Sequence, residues 1–526
     1  MSIAAGSTSP AEEGWDDECD VLVAGSGGGG LTGAYTAAAR GLDTMLIEKT
    51  PLFGGTTAYS GASLWLPGNQ AQQRSGLDDS VQKGLTYLRA TVGERTSASL
   101  QESYVGHCAE LVAFLEGNRH LRFRYAAFPD YYDAPGRFDR GRSVMPEDID
   151  AADLGDLMDV LRPSWAADRL GAEVPRTRLV GGQALVGRFL LALRETPGVR
   201  LSHSTALDGL IQENGRVVGV HALRDGRRLR IRARAGVILA TGGFEGSDEL
   251  RRKYQAPRDA RWTMGPVGAN TGDALRAGIS AGAGTDLLGE CWWCPSVVVD
   301  ESSAAFTLGA TSGIFVDARG RRFANESLPY DQTGRALLAQ ETAGVPLPCY
   351  WIYDGTTEGL PPGFVSANPT DARPYLDSGV WKRADTLAGL AEQIGVPADE
   401  LIATVERFNA FAAAGKDEDF HRGEDAYDRF FATGEGPNPS LVPLEKGPFH
   451  AVPVVLGDLG TKGGLTTDDR ARVTTPDGDV VPGLYAAGNT MASVSGLVYP
   501  GPGVPIGSAM VFAHLAAEDI ARQQGN

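Results

Sequence analysis

Residues 19–49 read CDVLVAGSGGGGLTGAYTAAARGLDTMLIEK, and this stretch decides the fold. An apolar run typical of a buried strand leads into Gly25-x-Gly27-x-x-Gly30, a helix of small residues follows, and a second strand ends at Glu48. Such glycines permit a tight turn, the approach of a pyrophosphate to backbone amides, and close packing of helix on strand. An acid 18 residues after the last glycine can accept hydrogen bonds from a ribose. The stretch therefore predicts a β-α-β unit that binds a dinucleotide.

Two further glycine-rich segments favour FAD over NAD, which the fingerprint alone does not separate because both carry adenosine and pyrophosphate. Residues 52–63 (LFGGTTAYSGAS) place glycines and hydroxyls directly after Glu48, as a bulky pyrophosphate and flavin edge require. Residues 481–489 (VPGLYAAGN) have the strand-and-glycine pattern that closes over the ribityl chain in FAD proteins. Either segment alone could be a surface loop, but together and in this order they predict FAD.

The composition limits the organisation of the chain and its partners. With 526 residues the chain is too long for one ordinary core, which predicts two domains or one large domain with an insertion. A net charge of −18 disfavours nucleic acid as a partner, because binding to a polyanion draws on lysine and arginine. No signal-peptide pattern or run of about 18 apolar residues is visible, so no transmembrane segment is predicted; attachment to a membrane surface stays open. A reducing cytoplasm is predicted from five dispersed cysteines: Cys19, Cys108, Cys291, Cys294 and Cys349.

Changes of pattern along the chain predict the domain limits. Short apolar runs between 207 and 240, joined by Asn214-Gly215 and Asp225-Gly226, are typical of a β-meander. After residue 287 the composition becomes irregular, and short strands with glycine loops return near 450. The predicted limits are a disordered tail over 1–16, an FAD-binding domain over 17–287 and 451–526, and a catalytic domain over 288–450.

The glycine motifs also identify a family resemblance. GSGGGG, GGTTAYSG, ATGGFE, NTGDALRAG and GLYAAGN, in this order, resemble the fumarate reductase and 3-ketosteroid dehydrogenase superfamily of flavoproteins. The resemblance implies an α/β fold, with a Rossmann-like FAD-binding domain of GR2 type and an inserted α+β catalytic domain. Members that attach FAD covalently use a histidine in the loop after the ribose-binding acid, and none lies between residues 48 and 63. The FAD is therefore expected to be non-covalent.

The residues expected to line the cofactor come from these motifs and from the resemblance. No metal site is predicted. The expected cofactor residues are Gly25, Gly27, Gly28, Gly30, Glu48, Lys49, Gly55, Thr56, Thr57, Ser60, Gly61, Ala206, Thr241, Gly242, Gly243, Asp273, Gly488, Asn489, Gly503, Pro505 and Ile506.

The active-site motifs select a branch of this superfamily. Fumarate reductases carry an arginine shortly after an RFxNE motif and a histidine in an HTMGG-like stretch, which together hold a dicarboxylate. This chain has Tyr330 and Gly460 near those positions, so a dianionic substrate would find no cationic partners. Residues 499–503 (YPGPG) closely resemble the 3-ketosteroid Δ1-dehydrogenases, whereas relatives acting on the 4,5 bond carry a serine where Gly501 stands.

The resemblance implies a mechanism of 1,2-dehydrogenation in steroid catabolism. Tyr499 and the Gly503 amide would donate hydrogen bonds to the carbon 3 carbonyl of a 3-ketosteroid, forming an oxyanion hole. Tyr330 would take a proton from carbon 2, and flavin would take a hydride from carbon 1. Free tyrosine has a pKa near 10, so Tyr131 would hydrogen-bond Tyr330 to stabilise its phenolate. The neighbouring Tyr132 is the alternative helper. The electron acceptor, quinone-like or a dye in vitro, is not specified by these residues.

Aromatic residues outside these motifs are weaker candidates. Phe128, Phe306 and Trp292, together with Trp293, could wall an apolar steroid slot, although aromatic residues more often belong to a plain core.

Other functions remain open at this stage. The chain could be a 3-keto-5α-steroid Δ4-dehydrogenase or another enone-forming or enone-reducing flavoenzyme. A flavin-linked disulfide reductase could use Cys291 and Cys294, but the CxxC pair precedes a proline and a strand-like run, which favours buried free cysteines. A non-catalytic flavin-binding protein is the third class.

Overall fold

The computed structural model describes residues 14–255 and 258–525. Among the described residues, helices and strands assemble around two large sheets, one in the nucleotide-binding part and one in the inserted part, with three smaller sheets beside them. Within the described residues, strands β1 to β22 are Asp17–Ala24, Thr44–Ile47, Leu64–Trp65, Phe123–Ala126, Ser143–Pro146, Ile149–Asp150, Arg178–Leu179, Val199–Ser202, Thr205–Glu213, Arg216–Arg224, Arg227–Leu239, Thr285–Asp286, Cys291–Val298, Ala304–Leu308, Ile314–Val316, Cys349–Tyr353, Phe364–Val365, Lys382–Ala384, Phe449–Thr461, Gly464–Leu465, Arg472–Thr474 and Val480–Ala486.

The α-helices lie between these strands along the chain, singly or in groups such as the four helices between β3 and β4. In the same described ranges, helices α1 to α16 are Gly28–Ala39, Gln70–Arg74, Val81–Val92, Ala98–Gly106, Cys108–Glu116, Ala151–Leu154, Trp165–Leu170, Gly181–Glu195, Asp248–Gln255, Asp273–Ser280, Tyr330–Thr342, Arg373–Asp377, Leu387–Ile394, Ala398–Ala414, Ala426–Phe430 and Val504–Gln523.

The first sheet is the one that the opening sequence stretch predicts. Its strand order is β21-β22-β11-β1-β2-β8, with β22, β11, β1, β2 and β8 parallel to one another. The predicted meander is confirmed as β9, β10 and β11, and positive φ angles at Asn214, Gly215, Asp225 and Gly226 show the tight turns that join them. In such a sheet a ligand binds outside the carboxyl ends of the parallel strands.

Small residues let α1 pack closely on its neighbours. A Cβ on Gly29 would lie 3.1 Å from the carbonyl oxygen of Ala509, and one on Gly33 would lie 3.5 Å from the Ala513 Cβ. Both alanines belong to α16, so two helices of the nucleotide-binding part meet almost backbone to backbone. This packing fixes the start of α16 beside the start of α1.

The second sheet carries the inserted part and is antiparallel. Its order is β15-β16-β19-β13-β14-β17, with β18 also paired to β19. Helix α11 lies against β13 so closely that a Cβ on Gly334 would be 2.7 Å from the Cys294 amide nitrogen. This contact sets the position of Tyr330, the first residue of α11.

The predicted limit at residue 287 precedes β13 of the second sheet, whereas the predicted limit at residue 450 lies within β19. Strand β19 pairs with β13 from Val454 to Thr461, so the second sheet extends past residue 450. Residues 1–13 of the predicted tail lie outside the described residues. Asp16, assigned by sequence to that tail, donates its amide to the Arg230 carbonyl, and Trp15 lies under the guanidinium groups of Arg230 and Arg232.

Helix α16 is the one element in the described ranges with the length and hydropathy of a membrane span. Its mean hydropathy is 1.2, and 83% of the relevant window is buried inside the protein. Because core helices commonly meet the same criteria, packing between α1 and the first sheet accounts for its apolar character.

Candidate active site

The expected cofactor glycines form a cradle at the carboxyl edge of the first sheet. Gly25 has a φ of +100°, and a Cβ there would lie 2.2 Å from the Ala240 carbonyl oxygen. A Cβ on Gly30 would lie 1.9 Å from the Gly25 carbonyl oxygen. Gly27 and Gly61 are different, because a Cβ on Gly27 meets only the Thr57 hydroxyl at 3.4 Å and one on Gly61 meets nothing within 4 Å. Gly25 and Gly30 are thus needed by the fold, while Gly27 and Gly61 leave space for a ligand.

Polar groups around this cradle are held by one another. The buried Glu48 carboxylate follows β2 and accepts hydrogen bonds from the Ser26 hydroxyl (2.5 Å) and the Thr50 amide (2.8 Å). The Thr57 hydroxyl accepts from the Gly28 amide at 3.0 Å, in the first turn of α1. Hydrogen bonds among the protein's own groups therefore hold the cradle in place.

The remaining expected cofactor residues lie in or next to elements of the nucleotide-binding part. Lys49 donates to Asp273 at 2.9 Å, which ties β2 to α10. Thr56 accepts from the Asn270 side chain at 2.9 Å. Gly503, at φ +92°, precedes α16. Around these lie Gly55 and Ser60 in the loop after β2, Ala206 in β9, Thr241, Gly242 and Gly243 after β11, Gly488 and Asn489 after β22, and Pro505 and Ile506 in the first turn of α16.

These residues fit FAD. The amino-terminal ends of α1 and α16 lie side by side, since a Cβ on Gly28 would be 2.9 Å from the Ile506 side chain. Each end carries partial positive charge, which suits a pyrophosphate at one helix and an electron-rich ring system at the other. Glu48 supplies the carboxylate that a ribose needs. The donor set and the open glycines thus match a dinucleotide in both charge and shape.

Three tyrosines from distant parts of the chain meet beside this cradle. The ring of Tyr330 packs edge-on against Tyr131 (centroids 5.6 Å apart) and Tyr499 (5.3 Å), and Tyr131 and Tyr499 lie 5.4 Å apart. All three side chains are buried. Tyr132 makes no contact of this kind, so of the two candidate helpers Tyr131 is the one beside Tyr330. The structure therefore brings together the residues expected to be catalytic.

The 499–503 loop is held rigidly against the nucleotide-binding part. The Pro500 carbonyl accepts hydrogen bonds from the Tyr131 amide (3.0 Å) and the Tyr87 hydroxyl (2.6 Å). The Gly503 amide donates to the Tyr499 hydroxyl at 3.3 Å, so the two expected oxyanion donors are adjacent. A Cβ on Gly503 would lie 2.0 Å from the Ser63 carbonyl oxygen, so only glycine fits. The loop is preorganised by contacts from both sides.

Burial dominates the electrostatics of the tyrosines. Loss of solvent raises the pKa of Tyr330, and of Tyr131, well above the ordinary value near 10, and it also raises the pKa of Tyr499. A side-chain hydrogen-bond interaction between Tyr131 and Tyr330 lowers the pKa of Tyr131 and raises that of Tyr330, although among the described residues no partner meets the Tyr131 hydroxyl in close hydrogen-bonding geometry. The role of Tyr131 as the helper of Tyr330 therefore stays a prediction.

The weaker aromatic candidates divide into two groups. Phe306 packs edge-on against Tyr330 (4.9 Å), Trp292 against Tyr499 (5.0 Å), and Phe128 against Tyr131 (6.2 Å). Trp293 points to the opposite side of β13, into the core of the inserted part.

The CxxC motif of β13 is split by the alternation of the strand. Cys294 faces the core that contains Tyr330, whereas Cys291 faces the other core. Both thiols are free and buried, and burial raises their pKa. A disulfide exchange between Cys291 and Cys294 is incompatible with this arrangement.

Several residues of the site were not predicted from sequence. Tyr427 of α15 packs against Tyr131 at 5.3 Å. Asp130 accepts from the Trp65 indole at 2.8 Å and pairs with the fully buried Arg142 at 3.0 Å. Asp130 immediately precedes Tyr131, so this network anchors the helper tyrosine. In the sequence, only the position of Asp130 directly before Tyr131 could have indicated this network.

Known proteins resemble the chain over nearly its whole length. A model of the FAD binding domain family matches residues 20–506. A 3-oxosteroid 1-dehydrogenase of Mycolicibacterium smegmatis is 39% identical over 560 residues, covering 96% of this chain and 97% of the relative. A 4-oxocyclohexanecarboxylate 2-dehydrogenase of Sinomonas cyclohexanicum is 38% identical, covering 96% and 93%.

A solved structure is also similar. The crystal structure of 3-ketosteroid Δ1-dehydrogenase from Sterolibacterium denitrificans, in complex with 1,4-androstadiene-3,17-dione, matches with a TM-score of 0.89 and 34% identity. The superposition covers 96% of this chain and 100% of the chain from Sterolibacterium denitrificans.

Proposed function

Because the chain belongs to the FAD-binding flavoprotein family that includes the 3-oxosteroid 1-dehydrogenases, we propose that it is an FAD-dependent 3-ketosteroid Δ1-dehydrogenase. One observation carries the proposal beyond family membership. Tyr131, Tyr330 and Tyr499, more than 150 residues apart along the chain, pack ring to ring beside a dinucleotide cradle. A plain core would not need three buried hydroxyls at one point, because burying unpaired polar groups is costly.

The cofactor would be held without a covalent bond by the cradle. Glu48 would bind the ribose, the Gly27 amide and the first turn of α1 would face the pyrophosphate, and the start of α16 would lie at the flavin ring. When bound, FAD supplies the hydride acceptor of the reaction.

The chain's own groups would polarise the ketone. The Tyr499 hydroxyl and the Gly503 amide, 3.3 Å apart, would donate to the carbonyl oxygen at carbon 3 and stabilise the enolate charge. Tyr330 would then accept the proton from carbon 2. Since burial raises the pKa of Tyr330, the free phenolate is scarce at neutral pH. Proton transfer would therefore rely on a hydrogen bond from Tyr131 that stabilises the Tyr330 phenolate as it forms.

The aromatic walls suit a flat apolar substrate. Phe306, Phe128 and Trp292 each contact one of the three tyrosines. A steroid nucleus would bury against these rings and displace little ordered polar surface. The unpaired, buried cysteines are consistent with a reducing cytoplasm. For the domains we propose an inserted catalytic unit that includes 291–461, the span of the second sheet.

The test is a substrate assay on the purified yellow protein. With androst-4-ene-3,17-dione and a dye acceptor, we expect bleaching of the dye and formation of the 1,4-diene. If no 3-ketosteroid reduces the bound flavin, the proposal is wrong.

A smaller cyclic ketone is the second candidate. The relative from Sinomonas cyclohexanicum, named for 4-oxocyclohexanecarboxylate, is almost as similar in sequence as the steroid enzymes. The same donors and base could act on that ring. Measuring kcat/KM for both ketones under the same conditions separates the two candidates, and we expect the steroid to be preferred.

A further inference from the structure

Lys462 is a buried cation next to the tyrosine site. Its side chain is 0% exposed, its ammonium donates to the Val498 carbonyl at 2.7 Å, and it lies 4.3 Å from the centre of the Trp292 ring. Within residues 14–255 and 258–525, no carboxylate lies within the 4.0 Å of an ion pair with it. Burying an ammonium without a close counter-ion is costly, so a plain structural lysine is a poor explanation.

Both groups that Lys462 contacts, the Val498 carbonyl and the Trp292 ring, are direct neighbours of Tyr499, one of the two expected oxyanion donors. Val498 immediately precedes Tyr499. The Trp292 ring packs edge-on against the Tyr499 ring at 5.0 Å, and its indole nitrogen donates to Asn489 at 3.0 Å. The ammonium therefore holds Tyr499 from two sides, through the backbone before it and through the ring behind it.

The charges that face Lys462 come from several elements. Asp331 is fully buried in the first turn of α11, and in the described residues neither of its carboxylate oxygens has a hydrogen-bond partner. Arg335 lies 3.5 Å from Asp331 and 3.1 Å from Glu290. Burial lowers the pKa of Lys462 to about 8, opposed by Asp331 and Glu290, while Arg335 adds to the lowering and Cys291 opposes it. The ammonium is thus mostly charged at neutral pH.

We propose that Lys462 is a positioning residue for the oxyanion donors: it fixes the Tyr499 hydroxyl through Val498 and Trp292. This inference rests on the proposed function, because it assigns Tyr499 the task of holding the ketone oxygen. Lys462 itself touches neither Tyr330 nor the substrate carbonyl in this scheme. A displaced donor would weaken enolate stabilisation and leave apolar substrate binding largely intact.

The first experiment replaces Lys462 by methionine, which has similar length and no charge. We expect the K462M protein to bind FAD fully, with kcat reduced about 10- to 100-fold, the scale of a donor misplaced by about 1 Å. KM should stay within about threefold of the wild type. Lys253→Met is the matched control, since Lys253 is exposed and its ammonium also lies over an aromatic ring, that of Tyr254 at 4.8 Å. The control should keep full turnover.

A double-mutant cycle distinguishes positioning from general support of the structure. If Lys462 acts through Tyr499, adding K462M to Y499F should lower kcat by less than about threefold beyond Y499F alone. Additive losses would overturn the proposal, and so would a K462M enzyme with kcat within twofold of the wild type. If K462M does not retain FAD, K462Q, which lacks the charge and is shorter, is assayed in its place. Loss of FAD from both neutral variants, with K253M intact, also overturns the proposal.

The substrate question is decided separately with the wild type. If the wild type oxidises no 3-ketosteroid but oxidises 4-oxocyclohexanecarboxylate, the proposed function fails. The Lys462 variants are then compared on that ketone, with the same expected losses.

Discussion

Arg137 and Asp425 form an ion pair with two parallel hydrogen bonds, each 2.6 Å long. Arg137 lies in the loop that carries Tyr131, and Asp425 caps α15 by accepting from the Tyr427 amide. The pair therefore joins the nucleotide-binding part to the inserted part at the point where Tyr131 and Tyr427 pack together. Paired guanidinium and carboxylate groups fix orientation more strictly than a single contact does.

We expect Arg137→Met to lower kcat/KM about tenfold, because Tyr131 and the Tyr427 wall would lose their fixed spacing. Steady-state kinetics and FAD content would be measured together. Arg119→Met is the matched control, since Arg119 also makes a two-bonded pair, with Glu195, but at an exposed site away from the tyrosines. An R137M enzyme indistinguishable from R119M would show that the pair has no role in the site.

Removal of the tyrosine hydroxyls should separate chemistry from cofactor binding. Tyr499→Phe removes one oxyanion donor, for which we expect a loss of about 100- to 1,000-fold in kcat. Tyr330→Phe removes the proposed base, for which we expect about 100- to 10,000-fold. Both variants should retain FAD, as read from the flavin absorbance per protein. Full turnover in either variant would remove that residue from the mechanism.

The surroundings of Gly501 leave no room for the serine that the relatives acting on the 4,5 bond carry at this position. A Cβ at Gly501 would lie 2.5 Å from the Trp65 indole, which is itself bonded to Asp130. Gly501→Ser should therefore destabilise the protein by roughly 1–3 kcal/mol through overpacking and should not create 4,5-dehydrogenation. Urea unfolding and product analysis measure both effects. Gly436→Ser, where a Cβ meets nothing within 4 Å, is the control.

Local motifs of this chain could be predicted from its sequence, whereas most of its tertiary contacts could not. Gly25, Gly30 and Glu48 were predictable because the chemistry of a strand-turn-helix lies within one short stretch. The meeting of Tyr131 with Tyr330 came only from a family resemblance, since no periodicity links positions 199 residues apart. Lys462 and Tyr427 could not be predicted, because their roles depend on contacts with residues that are distant in the sequence. The alternation of β13 likewise decides that Cys291 and Cys294 face apart.

The glycines of the fingerprint should separate folding from cofactor binding. A Cβ at Gly30 would overlap the Gly25 carbonyl oxygen, whereas one at Gly27 would meet only the Thr57 hydroxyl. We expect Gly30→Ala to fail to yield soluble protein. Gly27→Ala should fold but bind FAD at least tenfold more weakly, because its methyl group would occupy the space where the pyrophosphate approaches. FAD titration of the apoprotein measures this, and unchanged affinity in G27A would contradict the placement of the pyrophosphate.

His514 should make the stability of the protein depend on pH in the acid range. The ring is fully buried in α16, its Nδ1 lies 3.1 Å from the Thr36 hydroxyl, and its Nε2 lies 4.0 Å from Glu110. Burial lowers the pKa of His514 from 6.5 to about 4, with Arg40 and His107 adding to the lowering. Between those two values the unfolded chain binds a proton that the native chain excludes. Stability contributed by this group is therefore fully present above pH 6.5 and is lost as the pH falls towards 4.

The comparison with His514→Asn isolates this effect, because the amide keeps a polar atom near Thr36 and does not titrate. From pH 7 to pH 4 the free energy of unfolding should fall more steeply in the wild type than in H514N, by on the order of 3 kcal/mol. Urea unfolding of the holoenzyme at closely spaced pH values measures both free energies. Subtracting one from the other removes the contribution of all titrating groups that the two proteins share. Parallel curves for the two proteins would mean that His514 is protonated in the native state or accessible to solvent.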